Sequence, residues 1–242
     1  MRVHVTWSTF GIHQDEIVVA VDVLRSSSTI ANALRNGAHA VVPFTSIADA
    51  IRFRETKGRD NVVLAGERNG ITPKGFNYNV SPFDMTRDNI GSLKIGYTST
   101  NLTRVIGKLR KSRVLIGGVV NAKVTADYLK ARDRNVTIVA CGTREGPTVE
   151  DIAGAGAIAS SLIDEELSDE VLAAIGLFEA ANLQKLIRRG RIARKLISLG
   201  YERDIEFCLS LDSTPVVAGL VGNEIVDLRK KLASCSFEQR GA

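Results

Sequence analysis

The order of apolar segments predicts an α/β protein, a three-layer α/β/α unit built on a mixed or mostly parallel sheet. Three observations carry this expectation. Short apolar runs such as Ile17–Val21 and Val136–Ala140 lack a clean alternation of apolar and polar residues, which marks strands covered on both faces. Segments of helical periodicity separate these runs. Two of the strands also end alike: Arg25 and Arg144 each follow a strand end by a few residues, and a hydroxyl residue, Thr29 or Thr148, stands four positions further on in a helical pattern. A strand–loop–helix junction of this kind gathers backbone N–H groups and a guanidinium around a small volume, which suits a phosphate ester or similar oxyanion.

The elements follow in quick succession. Val3–Thr6 and Ile17–Val21 read as strands, and 29–35 as a helix capped by Ser27 or Ser28 with Gly37 just past its end. Ala40–Pro43 is the next strand, 47–56 the next helix, and 62–65 the strand that delivers Gly66, Glu67, Arg68, Asn69 and Gly70. From 71 to 90 the period is broken by Pro73, Gly75 and Pro82, and so long a loop, rich in asparagine and glycine, reads as an active-site loop. Lys94–Thr98, 114–117 and Val136–Ala140 complete the strand series. Helical patterns then occupy 147–162, 169–186, 190–199 and 202–211, with Gly154, Ala155, Gly156 and Ala157 suited to close helix packing. Short strands return at 215–221 and 225–228.

The two strand-end devices align at a constant offset of 119 residues, Asp22 with Cys141 and Arg25 with Arg144. A weak internal duplication and chance agreement both account for it, and the intervening elements do not repeat. The expected organisation is an amino-terminal α/β half, 1–130, and a more helical carboxyl-terminal half, 131–242, packed as one unit.

Composition narrows the function classes. Hydrophobic residues make up 44% of the 242 and charged residues 24%, the balance of a globular chain. Aromatics are only 5%, too few for a platform of stacked bases. The net charge of +5 fits an anionic metabolite as partner. Lys185, Arg188, Arg189, Arg191, Arg194 and Lys195 crowd one helical region, and without interleaved aromatics a solvated helix face is preferred there to nucleic-acid binding. Cys141, Cys208 and Cys235 are too widely spaced for a zinc site and indicate a reducing, cytoplasmic home. No leader pattern and no membrane-length apolar run is present, so no membrane partner is expected. His4, His13 and His39 form no metal pattern.

Ligands of α/β sheets sit beyond the carboxyl ends of the strands, which nominates Asp22, Glu67, Asn101, Asn121 and Arg144 from five strand ends. Asp22 leads as a metal ligand or nucleophile, with helix capping as its structural alternative. Glu67, Glu150 and Asp151 are further carboxylates for a hard cation such as Mg²⁺, although the last two also suit the first turn of a helix. Arg25, Arg68 and Arg144 can clamp a phosphoryl or second acidic group, while Ser28, Thr29 and Thr103 add hydroxyl donors. Cys141 is read as a small buried residue, because Gly142-Thr143 leaves too short a loop before Arg144 for a cysteine phosphatase.

Taken in order, several stretches resemble the 2-phosphosulfolactate phosphatase family: Val21-Asp22-Val23-Leu24-Arg25-Ser26-Ser27-Ser28-Thr29, Gly66-Glu67-Arg68-Asn69-Gly70, Gly75-Phe76, Ser81-Pro82, Thr100-Asn101 with Thr103, Asn121, Cys141-Gly142 with Glu150-Asp151, and Asp204-Ile205-Glu206-Phe207-Cys208. The resemblance implies a magnesium-dependent, homo-oligomeric phosphatase that converts 2-phospho-3-sulfolactate to 3-sulfolactate and phosphate on the route to coenzyme M. Asp22 and Glu67 would hold acidic roles, Asn101 and Asn121 would assist catalysis, and Arg25, Arg68, Arg144 and Ser81 would hold the phosphate or sulfonate. Two departures stand out. The family's usual Gly-Asn before Ser-Pro is Asn79-Val80 here, and its Asn-Gly-Thr is Asn101-Leu102-Thr103. Val80 lacks an amide's donor and acceptor, and Leu102 lacks glycine's backbone freedom, changes that bear on the substrate rather than on the reaction class. Another phosphorylated carboxylic acid as substrate, or a non-catalytic anion-binding module, is the alternative.

Overall fold

Two blocks of parallel strands, joined by an antiparallel hairpin, make one sheet in the computed structural model, which describes residues 1–10, 12, 16–109, 112–162 and 167–230. His13 and Cys235 lie outside these residues. The strands are β1 Val3–Thr6, β2 Ile17–Val21, β3 Ala40–Pro43, β4 Val62–Gly66, β5 Lys94–Thr98, β6 Arg113–Gly117, β7 Val136–Ala140, β8 Ala218–Val221 and β9 Glu224–Asp227. Their order is β1-β7-β2-β6-β8-β9-β3-β5-β4. Every pairing within β1-β7-β2-β6 and within β3-β5-β4 is parallel. The hairpin β8–β9 runs antiparallel to itself, to β6 and to β3, so the two blocks run in opposite directions across it.

The helices are α1 Ser26–Arg35, α2 Ile47–Lys57, α3 Arg87–Ile90, α4 Leu102–Lys108, α5 Ala122–Lys130, α6 Val149–Ala159, α7 Asp169–Phe178, α8 Leu183–Arg189, α9 Arg191–Ser198 and α10 Glu202–Cys208. The expected α/β/α layering and mostly parallel sheet are what the chain forms.

The side-chain period of two divides each strand between separate cores. In β2, Ile17, Val19 and Val21 join a core covered by α5, α6 and α7, while Val18 and Ala20 face the opposite way. In β4, Val62 and Leu64 pack under α2, and Val63 and Ala65 join Val18 and Ala20 in one shared core with α1 and α4. One face of both blocks thus encloses a common interior. The ends of the strands agree: the Leu102 N–H, just past β5, donates to the Asp22 carboxylate just past β2 at 3.1 Å. Four strands intervene in the sheet order. At about 4.8 Å per strand a flat sheet would hold β2 and β5 roughly 24 Å apart, so the sheet curls until the carboxyl ends of its blocks meet.

The 119-residue offset has a structural counterpart. β2 pairs β7 with Ile17 opposite Val136 and Val21 opposite Ala140, so the two similar segments lie side by side in register. Their helices then diverge, since Thr29 is inside α1 whereas Thr148 precedes α6.

Three expectations about local structure are corrected. α1 begins at Ser26, and neither Ser27 nor Ser28 caps it, because Ser27 faces backwards. The Ser27 N–H donates to the Asp22 carbonyl at 2.8 Å and its hydroxyl accepts from the Asp22 N–H at 3.0 Å, which starts the helix within the turn. The expected helix over 169–186 is broken into α7 and α8. Ile175 and Ile187 bury in the same core, and one straight helix would set them about 120° apart. The helical pattern from 147 begins only at Val149. α6 packs without clearance: a Cβ at Gly156 would land on the Ala174 carbonyl of α7, and one at Gly154 on Val23.

Candidate active site

Asp22 leaves β2 at the centre of the first block and is buried. Its Oδ2 accepts from the Ser26 hydroxyl at 3.0 Å and from the Leu102 N–H at 3.1 Å. Its Oδ1 accepts from none of the described residues and remains available to the cavity that Asp22 lines. Burial pushes the Asp22 carboxyl up to about 6, opposed by the Ser26 hydroxyl and assisted by the charge of Glu67.

Glu67 arrives from the second block. Its Oε1 accepts from the Thr100 N–H at 2.6 Å and its Oε2 from the Gly70 N–H at 2.7 Å. These bonds fold the 67–70 turn around the carboxylate, where Asn69 and Gly70 both take positive φ, 57° and 82°. Asp22 and Glu67 face one cavity of about 300 Å³, shared with Arg25, Asn101, Arg144 and Val80. Arg25 is 3% exposed, yet it touches this cavity. One arm donates to Asp204 at 2.5 Å and the other to Asn79 at 2.6 Å, and the guanidinium lies over the Tyr201 ring at 4.2 Å. Asp204 also accepts from the Ser81 hydroxyl at 3.0 Å, so Ser81 supports Arg25 rather than lining the cavity.

Other expected site residues are occupied with the scaffold. Asn121 is buried, its Oδ1 accepting from the Gly118 N–H and its amide donating to the carbonyls of Ile116 and Val216, which ties β6 to the approach of β8. Ser28 donates to the Val23 carbonyl at 3.3 Å, and Thr29 is buried inside α1. The Thr103 hydroxyl donates to the Ser99 carbonyl at 2.7 Å. Asp151 accepts from the Val23 N–H at 2.8 Å and the Gly142 N–H at 2.9 Å, fastening the ends of β2 and β7 together, and unlike Glu67 it does not line the cavity. Burial, then the charges of Asp22 and Glu150, hold its carboxyl well above the ordinary range. Glu150 is buried beside it, pushed up to about 7 chiefly by desolvation, and does not line the cavity. Cys141 is buried with its thiol pushed far up, again by desolvation, which disfavours a thiolate nucleophile.

Arg191 and Lys195 of α9 line the cavity, where the sequence had suggested only a solvated face. They stand four positions apart on one helix face beside Ile192 and Leu196. Arg191 pairs with Glu145 and donates to the Thr143 hydroxyl at 2.7 Å, closing α9 onto the loop after β7. The readable signal was the i, i+4 repeat of cations flanking apolar residues.

Of the family departures, Leu102 lies in α4, where no positive φ is needed, so leucine costs the backbone nothing there. Val80 is different, since it forms part of the cavity wall.

Among the described residues no three His, Cys, Asp or Glu side chains gather as a metal cage. Mg²⁺ does not need one. It is held commonly by one or two carboxylates together with substrate phosphate and water, and the Asp22–Glu67 pair fits that donor set.

Paired carboxylates at converging strand ends, ringed by arginine and lysine, define an enzyme site for a small anionic metabolite. The comparisons give the class its family. The family model described as 2-phosphosulpholactate phosphatase matches residues 8–223. A "Probable 2-phosphosulfolactate phosphatase" of Thermotoga maritima is 36% identical over 210 residues, 86% of this chain and 90% of that protein. The like-named protein of Carboxydothermus hydrogenoformans is 36% identical over 208 residues, covering 84% and 86%, and that of Clostridium novyi is 30% identical over 226, covering 90% and 96%. The chain belongs to the 2-phosphosulfolactate phosphatase family, a group of phosphoric monoester hydrolases. No helix among the described residues is long and apolar enough to cross a membrane.

Proposed function

We propose that this phosphatase hydrolyses 2-phospho-3-sulfolactate to 3-sulfolactate and phosphate with Mg²⁺, on the route to coenzyme M. The observation that supports it best is the pair Asp22 and Glu67, brought from two strand blocks to one cavity with a cationic rim. Asp22 and Glu67 would hold the ion. When bound, Mg²⁺ neutralises phosphoryl oxygens and favours water as the attacking group. Arg25, clamped by Asp204 and Asn79, offers its remaining N–H groups to the phosphoryl oxygens in a fixed direction. Arg144 and Lys195, which line the same cavity, contribute further positive charge. Water adds to phosphorus, the ester P–O bond breaks, and the alkoxide leaves with a proton.

A second reading, attack by Asp22 itself, draws support from its unoccupied Oδ1. Stereochemistry at phosphorus distinguishes them: one in-line attack by water inverts a chiral phosphate ester, whereas the two successive displacements of the covalent route retain its configuration.

The decisive assay is phosphate release from racemic 2-phosphosulfolactate, phospholactate and simple phosphate esters, with Mg²⁺ or with chelator. Metal-dependent preference for phosphosulfolactate is the expected result. Preference for another ester reassigns the substrate, with Val80 the first residue to revert, and release from none makes the chain an anion-binding module. Cytoplasmic location and homo-oligomeric assembly belong to the same proposal and are tested by fractionation and by sedimentation.

A further inference from the structure

A second cavity, of about 450 Å³, adjoins the first and shares Thr100 and Arg144 with it. Arg68 and Arg104 also line it, so three guanidiniums meet one space, and none of its lining residues is acidic. The ion-paired arginines among the described residues are Arg25, Arg52, Arg188, Arg191 and Arg229, and these three are not among them. Arg68 is fixed by neutral oxygens alone, the carbonyls of Glu67 and Thr45 and the Thr98 hydroxyl at 2.6–2.9 Å, which orient its charge without compensating it. The Arg104 Nε is buried with no acceptor, and so is the Thr100 hydroxyl on the shared wall. Like charges around one space repel, and an oxyanion in that space relieves the repulsion.

The two cavities differ in sign. The first mixes Arg25, Arg144 and Lys195 with Asp22, Glu67 and Glu145, so an anion there meets carboxylates unless a cation intervenes. The second carries positive charge alone. We propose that the second cavity is a metal-independent oxyanion subsite that takes the acidic group of the substrate remote from its phosphate, and that Arg104 is the residue selecting for it. The identity of the substrate rests on the phosphatase reading; the anion subsite itself does not. Arg144, on the wall between the cavities, is placed to contact both ends of a substrate bearing two acidic groups.

The test separates the two claims. Chelator-treated protein is titrated by calorimetry with sulfoacetate, acetate and inorganic phosphate, in the wild type, Arg104→Met and the charge-keeping Arg104→Lys. Sulfoacetate is expected to bind the wild type and to bind Arg104→Met about tenfold more weakly or worse, with Arg104→Lys between them. In steady state, Arg104→Met is expected to raise KM for 2-phosphosulfolactate about tenfold more than KM for a simple phosphate ester. Failure of sulfoacetate to bind the wild type, or binding unchanged by both variants, overturns the proposal. So does inorganic phosphate binding that weakens in Arg104→Met as much as sulfoacetate binding does, or an equal rise in KM for every ester, since each assigns Arg104 to the phosphate. If no ester is turned over, the phosphatase reading fails while the calorimetry still decides the subsite.

Discussion

The two strand blocks supply the same kind of group to the site in different ways. From the first block Asp22 emerges buried, its neighbourhood crowded by Asp151 and Glu150, with β2 and β7 fastened by two backbone N–H bonds to Asp151. From the second block Glu67 emerges on a turn with two positive-φ residues, less enclosed, and held by backbone N–H groups of loops. The first block is a rigid, desolvated wall that carries electrostatic cost. The second is a looped wall whose carboxylate organises its own backbone. Catalytic dependence should therefore concentrate on Asp22, and pH-dependent stability on the acids behind it.

The largest effect that tests this contrast is Asp22→Asn. Asparagine keeps an oxygen for Leu102 and Ser26, so folding should survive while kcat/KM falls about 1,000-fold, roughly 4 kcal/mol of transition-state stabilisation. Phosphate release beside a thermal melt checks it, and near-wild-type turnover would remove Asp22 from the centre of the mechanism. Next is Glu150→Gln. The folded protein raises this carboxyl from 4.5 to about 7, so between those values it binds a proton that the unfolded chain has lost. The resulting stability is present below pH 4.5 and is lost as pH rises through 7. The variant should flatten that slope and gain at pH 8, by an amount on the order of 3 kcal/mol at most. Urea unfolding at pH 5 and pH 8 reads the difference, and parallel slopes in the two proteins would count against a buried charge there.

Glu67→Gln comes third. Glutamine offers one oxygen where Thr100 and Gly70 need two, so activity should fall about 100-fold with some loosening of the 67–70 turn. A loss greater than that of Asp22→Asn would reverse the contrast. The smallest expected effect is Asp151→Asn, which sets an amide N–H against a backbone N–H of Val23 or Gly142. Stability should drop by about 2 kcal/mol in urea unfolding, with a lesser change in kcat. If activity fell and stability did not, Asp151 would belong with the chemistry.

Much of this was legible because it is local. Strand and helix periods located nearly every element, and strand ends in an α/β chain pointed to Asp22, Glu67 and Arg144. What was not legible depended on partners far along the chain. Nothing near residues 218–227 says that their hairpin lies in the middle of the sheet. Asn121 looked like a site residue because polar side chains at strand ends serve ligands and scaffolding equally well, and Ser81 because its Ser-Pro pair resembles the family's; their partners Val216 and Asp204 decide the matter. Arg191 and Lys195 looked like solvated surface because a helix face has no meaning until its neighbour is known. The break between α7 and α8 carries no proline, and the second cavity with Arg104 required the curl of the sheet to be seen at all.

That hairpin has a consequence for synthesis. As the chain leaves the ribosome, the residues of both parallel blocks emerge well before 218–227, which supply the seam between β6 and β3. Until the seam arrives each block presents an unpaired edge, the condition under which nascent chains stick to one another and call on chaperones. Among the described residues these are the last strands to be made, and they join the blocks that carry Asp22 and Glu67, so the cavity between the blocks closes late in the protein's own manufacture.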